Sequence, residues 1–258
     1  MNINKTIQLA FEHHQKGNLK QAEHLYEKIL KKQPDNINVL HMLGVIHSEH
    51  GNYELAIKYI KKALQSNSAD YHAYYNLGNA FRLKGQYEEA INSYRKVIHI
   101  DPYFVDAYHN LGIVLQDKGQ LDEAIACYQK AIQLNPNFYN AYSNLGNILK
   151  AKGQLDEAIA CYQKTINLNP NIAETYCNLG IVLQAKGQLD EAIACYQKTL
   201  RLKPDVSLAY NNQGFALQCK GRFDEAITCY QKAIQLNPNY ADPYNKLGNV
   251  FMGPCPVL

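Results

Sequence analysis

The string KGQLDEAIACYQK occupies residues 118–130, 152–164 and 186–198, and its copies are 34 residues apart. Three series of small residues keep the same step along almost the whole chain. They are Gly44, Gly78, Gly112, Gly146, Gly180, Gly214 and Gly248; Gly17, Gly51, Gly85, Gly119, Gly153, Gly187 and Gly221; and Ala22, Ala56, Ala90, Ala124, Ala158, Ala192 and Ala226. A fixed step of this length is the signature of stacked repeats, each too small to bury its apolar face alone.

This step divides the chain into seven full repeats and a partial eighth. The full repeats are 3–36, 37–70, 71–104, 105–138, 139–172, 173–206 and 207–240, and the partial repeat is 241–252. We predict one continuous solenoid over 3–252, followed by an irregular tail at 253–258. Pro254 and Pro256 in that tail rule out a normal second helix for the eighth repeat.

Each repeat is predicted to form two helices. In repeat 139–172, Tyr142, Leu145 and Leu149 recur at intervals of three and four residues and form an apolar stripe. Gly153 is suited to the left-handed conformation that ends a helix, and Pro170 stops the second helix. The fold class is therefore all-α.

The pattern Tyr–x2–Leu-Gly … Ala–x3–Tyr … Pro, repeated in this register, resembles the tetratricopeptide repeat. The departures are tyrosine instead of tryptophan at position four, Ala10 for the first glycine, and Ile60 and Ser68 for the second repeat's tyrosine and proline. The resemblance implies a right-handed α-solenoid superhelix whose first helices line a concave groove. It also implies a protein-binding scaffold rather than an enzyme.

The composition argues against several classes of partner. Charged residues make up 19% of the chain and the net charge is +3, without the basic field that nucleic acid would require. No apolar run approaches the ~20 residues that span a bilayer, so we expect no membrane partner. The seven cysteines include no Cys-x-x-Cys pair, and we predict a reducing, cytoplasmic location.

An asparagine stands at position six of five consecutive repeats. The five are Asn76, Asn110, Asn144, Asn178 and Asn212. Asparagine is a poor residue inside a helix, so a row in phase needs a reason. One interpretation is structural, with each amide bonded to a neighbouring helix. The other is functional, with a ladder of amides that grips the backbone of an extended peptide in the groove.

Other residues of the first helices are predicted to complete this peptide-binding groove. Tyr75, Ile113, Ile181 and Phe215 would form apolar walls, with Asn79 and Asn147 at position nine and Arg82 and Lys150 at position twelve. Five hydrogen bonds at about 1 kcal/mol each give about 5 kcal/mol, whereas micromolar binding needs about 8 kcal/mol. We therefore expect moderate-affinity recognition of unstructured protein segments, to which the walls contribute.

The segment AYSNLGNILKAKGQLDEAIACYQK is also similar to the repeat domains of O-linked N-acetylglucosamine transferases. That resemblance implies an alternative function, a substrate-recruiting arm of a glycosyltransferase whose catalytic domain is absent from this chain. A chaperone-type carboxylate clamp is disfavoured, because the inward cations are sparse.

The sequence supports no catalytic, cofactor or metal site. The nine histidines show no HExxH or zinc-finger spacing, and the Asp-Glu pairs at 122–123, 156–157 and 190–191 read as helix-start charges. Four cysteines recur at the same position of the second helices, too far apart to form disulfides, and we interpret them as packing residues. They are Cys127, Cys161, Cys195 and Cys229.

The C-terminal edge is apolar where a capping repeat is usually polar. Tyr244, Leu247, Val250 and Phe251 lack the second helix that would cover them. This edge predicts stacking on another domain, on another chain or on a second copy of the protein.

Overall fold

The computed structural model describes residues 2–250, and within that range every regular element is an α-helix. The helices are α1 Ile3–Gln15, α2 Leu19–Leu30, α3 Ile37–Glu49, α4 Tyr53–Ser66, α5 Tyr71–Leu83, α6 Tyr87–Ile100, α7 Val105–Asp117, α8 Leu121–Leu134, α9 Tyr139–Ala151, α10 Leu155–Leu168, α11 Ala173–Ala185, α12 Leu189–Leu202, α13 Ser207–Cys219, α14 Phe223–Leu236 and α15 Ala241–Val250. The odd-numbered helices are the first helices of the repeats. Each of them begins at the first residue of its predicted repeat, and the all-helical architecture confirms the all-α class.

Helix α15 begins at Ala241, the first residue of the partial eighth repeat, and Pro243 lies in its first turn. Proline is compatible with the first turn of a helix, where its missing N–H has no intrahelical acceptor to lose. Phe251, Met252 and the tail 253–258 lie outside the described residues. The prediction of one continuous solenoid over 3–252 stays a prediction.

Within residues 2–250, the helices form two compact units, which divide between Leu134 and Asn135. In each unit, the two helices of a repeat pack together, and the second helix then packs on the first helix of the next repeat. First helices also contact each other, α3 with α5 and α5 with α7 in the first unit, and α9, α11, α13 and α15 in sequence in the second. This arrangement brings position six of one repeat beside position nine of the repeat before it.

Glycine at the turn between the helices has a conformational role. Gly153 has a φ of +75°, and its N–H donates to the Lys150 carbonyl at 3.1 Å. The Gln154 N–H reaches back to the Leu149 carbonyl at 2.9 Å. These bonds satisfy carbonyls that the helix end would leave unpaired. They require a left-handed φ, which glycine adopts without steric strain.

Glycine at position eight serves close packing instead. A Cβ on Gly146 would lie 2.8 Å from Cε1 of Tyr162, whose side chain is fully buried between the two helices. The same pairing joins Gly180 to Tyr196 and Gly112 to Tyr128. In the second repeat, the buried Ile60 fills the place of the ring, so this departure from the pattern keeps the packing.

No helix among residues 2–250 combines the length and the apolar character needed to cross a bilayer.

Candidate functional site: the first-helix face

In each unit, the predicted peptide-binding residues lie on one face of that unit's first helices, at positions five, six, nine and twelve. We call these positions the first-helix face. All thirteen predicted residues are half-buried, neither packed into the core nor fully solvated. They are Asn76, Asn110, Asn144, Asn178, Asn212, Asn79, Asn147, Tyr75, Arg82, Ile113, Lys150, Ile181 and Phe215. Side chains in this intermediate position are held in place by their neighbours and still present atoms to a ligand.

In the first unit, the position-six asparagines bond to the preceding repeat. The Asn76 amide lies 2.8 Å from Nε2 of His41, and Asn110 donates to Oδ1 of Asn79 and to the Tyr75 hydroxyl, both at 3.0 Å. Both amide hydrogens of Asn110 are therefore engaged. The interhelical bonds expected from the structural interpretation are present.

In the second unit, Asn178 makes the corresponding bond to Oδ1 of Asn147 at 3.1 Å. It also accepts a hydrogen bond from Nζ of Lys150 at 2.8 Å. A primary amide can donate two hydrogen bonds and accept two. Asn178 thus uses half of its capacity on the described residues and retains one donor and one acceptor position.

Asn212 differs from Asn76, Asn110 and Asn178 because its oxygen accepts from its own neighbour, Asn211, at 3.3 Å. The buried Asn211 amide also donates to Asp242 at 2.8 Å and to the Tyr240 hydroxyl at 3.1 Å, which ties α13 to α15. Beside them, the Lys246 ammonium lies 4.7 Å from the ring centroid of Phe215. Phe215 is thus partly covered by a cation, and its apolar-wall role stays a prediction.

A cavity of about 400 Å³ opens on this face in the first unit. It lies between α3, α5 and α7, and its lining includes five of the predicted residues. The lining residues are Val45, Ser48, Glu49, Tyr75, Asn76, Asn79, Arg82, Leu83 and Asn110. The structure therefore brings together the predicted amides, the aromatic wall and the cation of the third repeat.

In the third to seventh repeats, the buried tyrosine of the second helix finds its hydrogen-bond acceptor on the first-helix face. Where position nine is asparagine, that residue accepts: Asn79 from Tyr94 at 2.7 Å, and Asn147 from Tyr162 at 2.8 Å. Where position nine is apolar, a glutamine at position twelve accepts. These pairs are Gln116 with Tyr128, Gln184 with Tyr196, and Gln218 with Tyr230.

These three glutamines were not among the residues predicted from the sequence, although the pattern that marks them is visible there. In the third to seventh repeats, asparagine at position nine occurs with Arg82 or Lys150 at position twelve, and an apolar position nine occurs with glutamine. The first repeat has Phe11 and His14 at these positions, and the buried Tyr26 hydroxyl there has no hydrogen-bond partner within the part of the chain that the structure describes. The alternation arises because a buried hydroxyl without an acceptor is costly.

Burial changes the pKa values of several side chains on the first-helix face. It raises the pKa of Tyr75 and, against the opposing effect of Asp70, lowers the pKa of His41. A neutral His41 imidazole can accept the Asn76 amide bond. Burial also lowers the pKa of Lys150, although Cys177 and Glu174 act in the opposite direction.

No group of three or more His, Cys, Asp or Glu side chains among residues 2–250 is placed to hold a metal ion. The cysteine row lies on second helices, away from the first-helix face. Burial raises the pKa values of Cys127, Cys161, Cys195 and Cys229 to about 11. The thiolate is the reactive form, so these positions are chemically quiet.

We expect these four cysteines to resist alkylation in the folded protein. At pH 7.5, a thiol whose pKa is about 11 is ionised to roughly 0.03%, against roughly 10% for an exposed thiol. Peptide-resolved mass spectrometry after brief iodoacetamide treatment should show at least tenfold less modification in native protein than in urea. Equal labelling in the two states would contradict the packing role.

The comparisons with known proteins agree with this architecture. Models described as "TPR repeat" match residues 78–119, 115–153 and 219–253, and one described as "Tetratricopeptide repeat" matches 137–205. A model of anaphase-promoting complex subunit 3 matches residues 15–97. The tetratricopeptide matches together cover more than half of the chain. No curated protein matches this sequence.

Several solved structures are similar. The MamA protein is 33% identical over 66% of this chain and 93% of its own, with a TM-score of 0.61. YrrB, described as a TPR protein with an unusual peptide-binding site, is 26% identical over 72% of this chain and 96% of its own, with a TM-score of 0.65. The C-terminal part of a TPR protein from Cytophaga hutchinsonii covers 93% of this chain and 99% of its own at 19% identity, with a TM-score of 0.75, and shows the fold alone.

Proteins with these repeats generally mediate protein–protein interactions. The 34-residue register, the paired helices and the matched family models lead to one conclusion: this chain belongs to the tetratricopeptide-repeat family.

Proposed function

We propose that this chain is a scaffold that binds extended, unstructured segments of partner proteins along the first-helix face. The observation that carries the proposal is the half-buried row of asparagines, of which Asn178 has one donor and one acceptor position without a partner among the described residues. A ligand backbone offers the N–H and C=O groups that pair with such an amide. The likeness to YrrB, a protein described as having a peptide-binding site, supports the same role.

The geometry of the repeats suits an extended ligand. Packed helices lie about 8–10 Å apart, and an extended chain advances about 3.3 Å per residue. One asparagine would therefore meet about every third ligand residue. Contacts to the ligand backbone carry no sequence information, so the row supplies general affinity while neighbouring side chains supply preference.

The interhelical bonds of the asparagines are compatible with this role. Bonds such as that from Asn178 to Asn147 fix the rotamer of the amide before a ligand arrives. A fixed side chain loses less conformational entropy on binding than a mobile one. The structural interpretation therefore describes the asparagines in the free protein, and the functional interpretation describes the same asparagines with a peptide bound.

The test is a selection from a phage-displayed library of random twelve-residue peptides. Selected peptides would then be titrated, by fluorescence polarisation, against the unmodified protein and the double variant Asn110→Ala/Asn178→Ala. We expect micromolar binding to the unmodified protein and at least about tenfold weaker binding to the double variant, since each lost hydrogen bond removes about 1 kcal/mol.

The matched control is Asn92→Ala/Asn167→Ala, which removes two exposed asparagines from second helices. Its affinity for the same peptides should equal that of the unmodified protein. Urea denaturation of all three proteins separates a binding loss from unfolding. Equal peptide affinity for the Asn110/Asn178 variant, with the fold intact, would contradict the proposal and leave the row a structural feature.

A further inference from the structure

We infer that His41 controls the orientation of the Asn76 amide, so that protonation of the imidazole exchanges a hydrogen-bond acceptor for a donor at the start of the asparagine row. The inference rests on the proposed function, because it concerns how a ligand is held on the same face. It adds regulation by pH at one place, the cavity of about 400 Å³ between α3, α5 and α7.

The hydrogen bond between His41 and Asn76 joins α3 to α5 and fixes the state of the ring. Nδ2 of the Asn76 amide lies 2.8 Å from Nε2 of the imidazole. An amide nitrogen only donates, so Nε2 is the acceptor, and the ring is neutral with its proton on Nδ1. The Nδ1 atom faces the Asp70 carboxylate at 3.8 Å, which favours this tautomer.

The carbonyl oxygen of Asn76 is left for a ligand in this arrangement. Asn76 is half-buried and lines the cavity, and its Oδ1 receives no hydrogen bond from residues 2–250. The N–H of a peptide backbone is the group that pairs with such an oxygen. While His41 is neutral, Asn76 therefore contributes an acceptor.

A proton on Nε2 of His41 reverses this arrangement. The imidazolium has a hydrogen on both ring nitrogens, so Nε2 and Nδ2 of Asn76 become two donors that face each other. Asp70 holds the ring in place, because its carboxylate attracts the cation and is itself fixed as the N-cap of α5, where it accepts from the Ala73 N–H at 3.0 Å. A half-turn of the amide then directs the Asn76 oxygen to Nε2 and the NH₂ group away from the ring.

Burial keeps His41 neutral near pH 7. It lowers the pKa of the imidazole, while Asp70 acts in the opposite direction and His72 adds to the lowering. Helices α2 and α4 also pack on α3, but they add no titratable group to this environment among residues 2–250. Since the folded-state pKa lies below the ordinary value of 6.5, the amide turns only as the pH falls below that value. The same lowering makes the fold less stable as the pH falls.

The next asparagine of the row responds differently. Asn110 donates to the hydroxyl of Tyr75, which occupies position five of the third repeat as His41 does in the second. Burial raises the pKa of Tyr75, so the hydroxyl stays neutral and accepts throughout the range of about pH 5 to 8 in which histidine titrates. Acidification therefore acts on the Asn76 amide and leaves the Asn110 amide as it is.

Nitrogen-15 NMR of the full chain tests the first step without a peptide. At about pH 8, the ring nitrogens of His41 should show the tautomer with the proton on Nδ1. On acidification, the second proton should bind with a midpoint below the ordinary value of 6.5 while circular dichroism shows the helices intact. A proton on Nε2 at about pH 8 overturns the inference, as does unfolding before His41 is protonated.

Peptide binding tests the consequence. Peptides selected at about pH 8 from the random library are remade without His, Asp or Glu and with blocked termini, so that they do not titrate. Their affinities are measured by fluorescence polarisation above and below the His41 midpoint. The loss on acidification should be about fivefold larger for the unmodified protein than for His41→Gln, because glutamine offers Asn76 an oxygen acceptor at every pH. A factor of about five is the net value of one hydrogen bond.

The matched control is His99→Gln, which removes an exposed histidine from α6 and should lose as much affinity on acidification as the unmodified protein. Equal losses for the unmodified protein and His41→Gln overturn the inference and leave the proposed function standing. Failure to select any peptide contradicts the proposed function, and with it the regulatory role of His41.

Discussion

Replacing Tyr162 by alanine is expected to lower the free energy of unfolding by about 3–5 kcal/mol. The ring is fully buried between α9 and α10 and lies against Gly146, so its removal leaves a cavity that backbone cannot refill. Urea denaturation followed by circular dichroism measures the change. A loss below about 1 kcal/mol would contradict the central packing role of this side chain.

The matched control for this prediction is Tyr162→Phe. It keeps the ring and removes the hydroxyl that donates to Asn147 at 2.8 Å. The expected cost is about 1 kcal/mol, the net value of one hydrogen bond. A cost as large as that of the alanine variant would show that the hydroxyl, rather than the ring, dominates.

Adding one methyl group at Gly180 is expected to destabilise the protein by about 1–3 kcal/mol, although alanine is the better helix former. In Gly180→Ala, the new Cβ would lie 2.7 Å from Cε1 of Tyr196, inside the contact distance of two carbon atoms. The ring is fully buried and has no free space to move into. Urea denaturation again measures the change.

The control for the glycine variant is Gly248→Ala in α15. A Cβ at Gly248 would meet no atom of residues 2–250 within 4 Å, so helix propensity alone should act and stability should stay equal or rise. If the Gly180 variant were as stable as the unmodified protein, the close approach of α11 and α12 would not be essential.

Much of the fold could be predicted from the sequence because each weak local signal recurs at the same position of successive repeats. Tyr71, Val105, Tyr139 and Ala173 each start both a predicted repeat and an observed helix. Asp70 caps α5 with its side chain, but the residues before α7, α9 and α11 do not, so repeat packing rather than a local capping signal sets those starts.

The residues of the candidate site could be predicted from the sequence, but their hydrogen bonds could not. The row from Asn76 to Asn212 was visible as a pattern, whereas the partners of each amide depend on the rotation of one helix against the next. The choice of acceptor for Tyr94 and Tyr128 shows the difference. Position nine serves one tyrosine and position twelve the other, and spacing alone does not distinguish them.

Several expectations from the sequence stay predictions. The absence of catalysis, the cytoplasmic location and the stacking of the C-terminal edge are among them. The alternative role, a substrate-recruiting arm of a glycosyltransferase, also stays a prediction from sequence resemblance. It would use the same first-helix face, since an arm of this kind must hold an extended substrate.

The most direct test of the central claim is the NMR response of the asparagine side-chain amides to a selected twelve-residue peptide. If the first-helix face binds extended segments, the Nδ2 resonances of Asn110 and Asn178 should shift on titration, while those of the exposed Asn92 and Asn167 on second helices stay in place. Shifts confined to Asn92 and Asn167, with Asn110 and Asn178 unmoved at saturation, would contradict the account and place binding on the second helices.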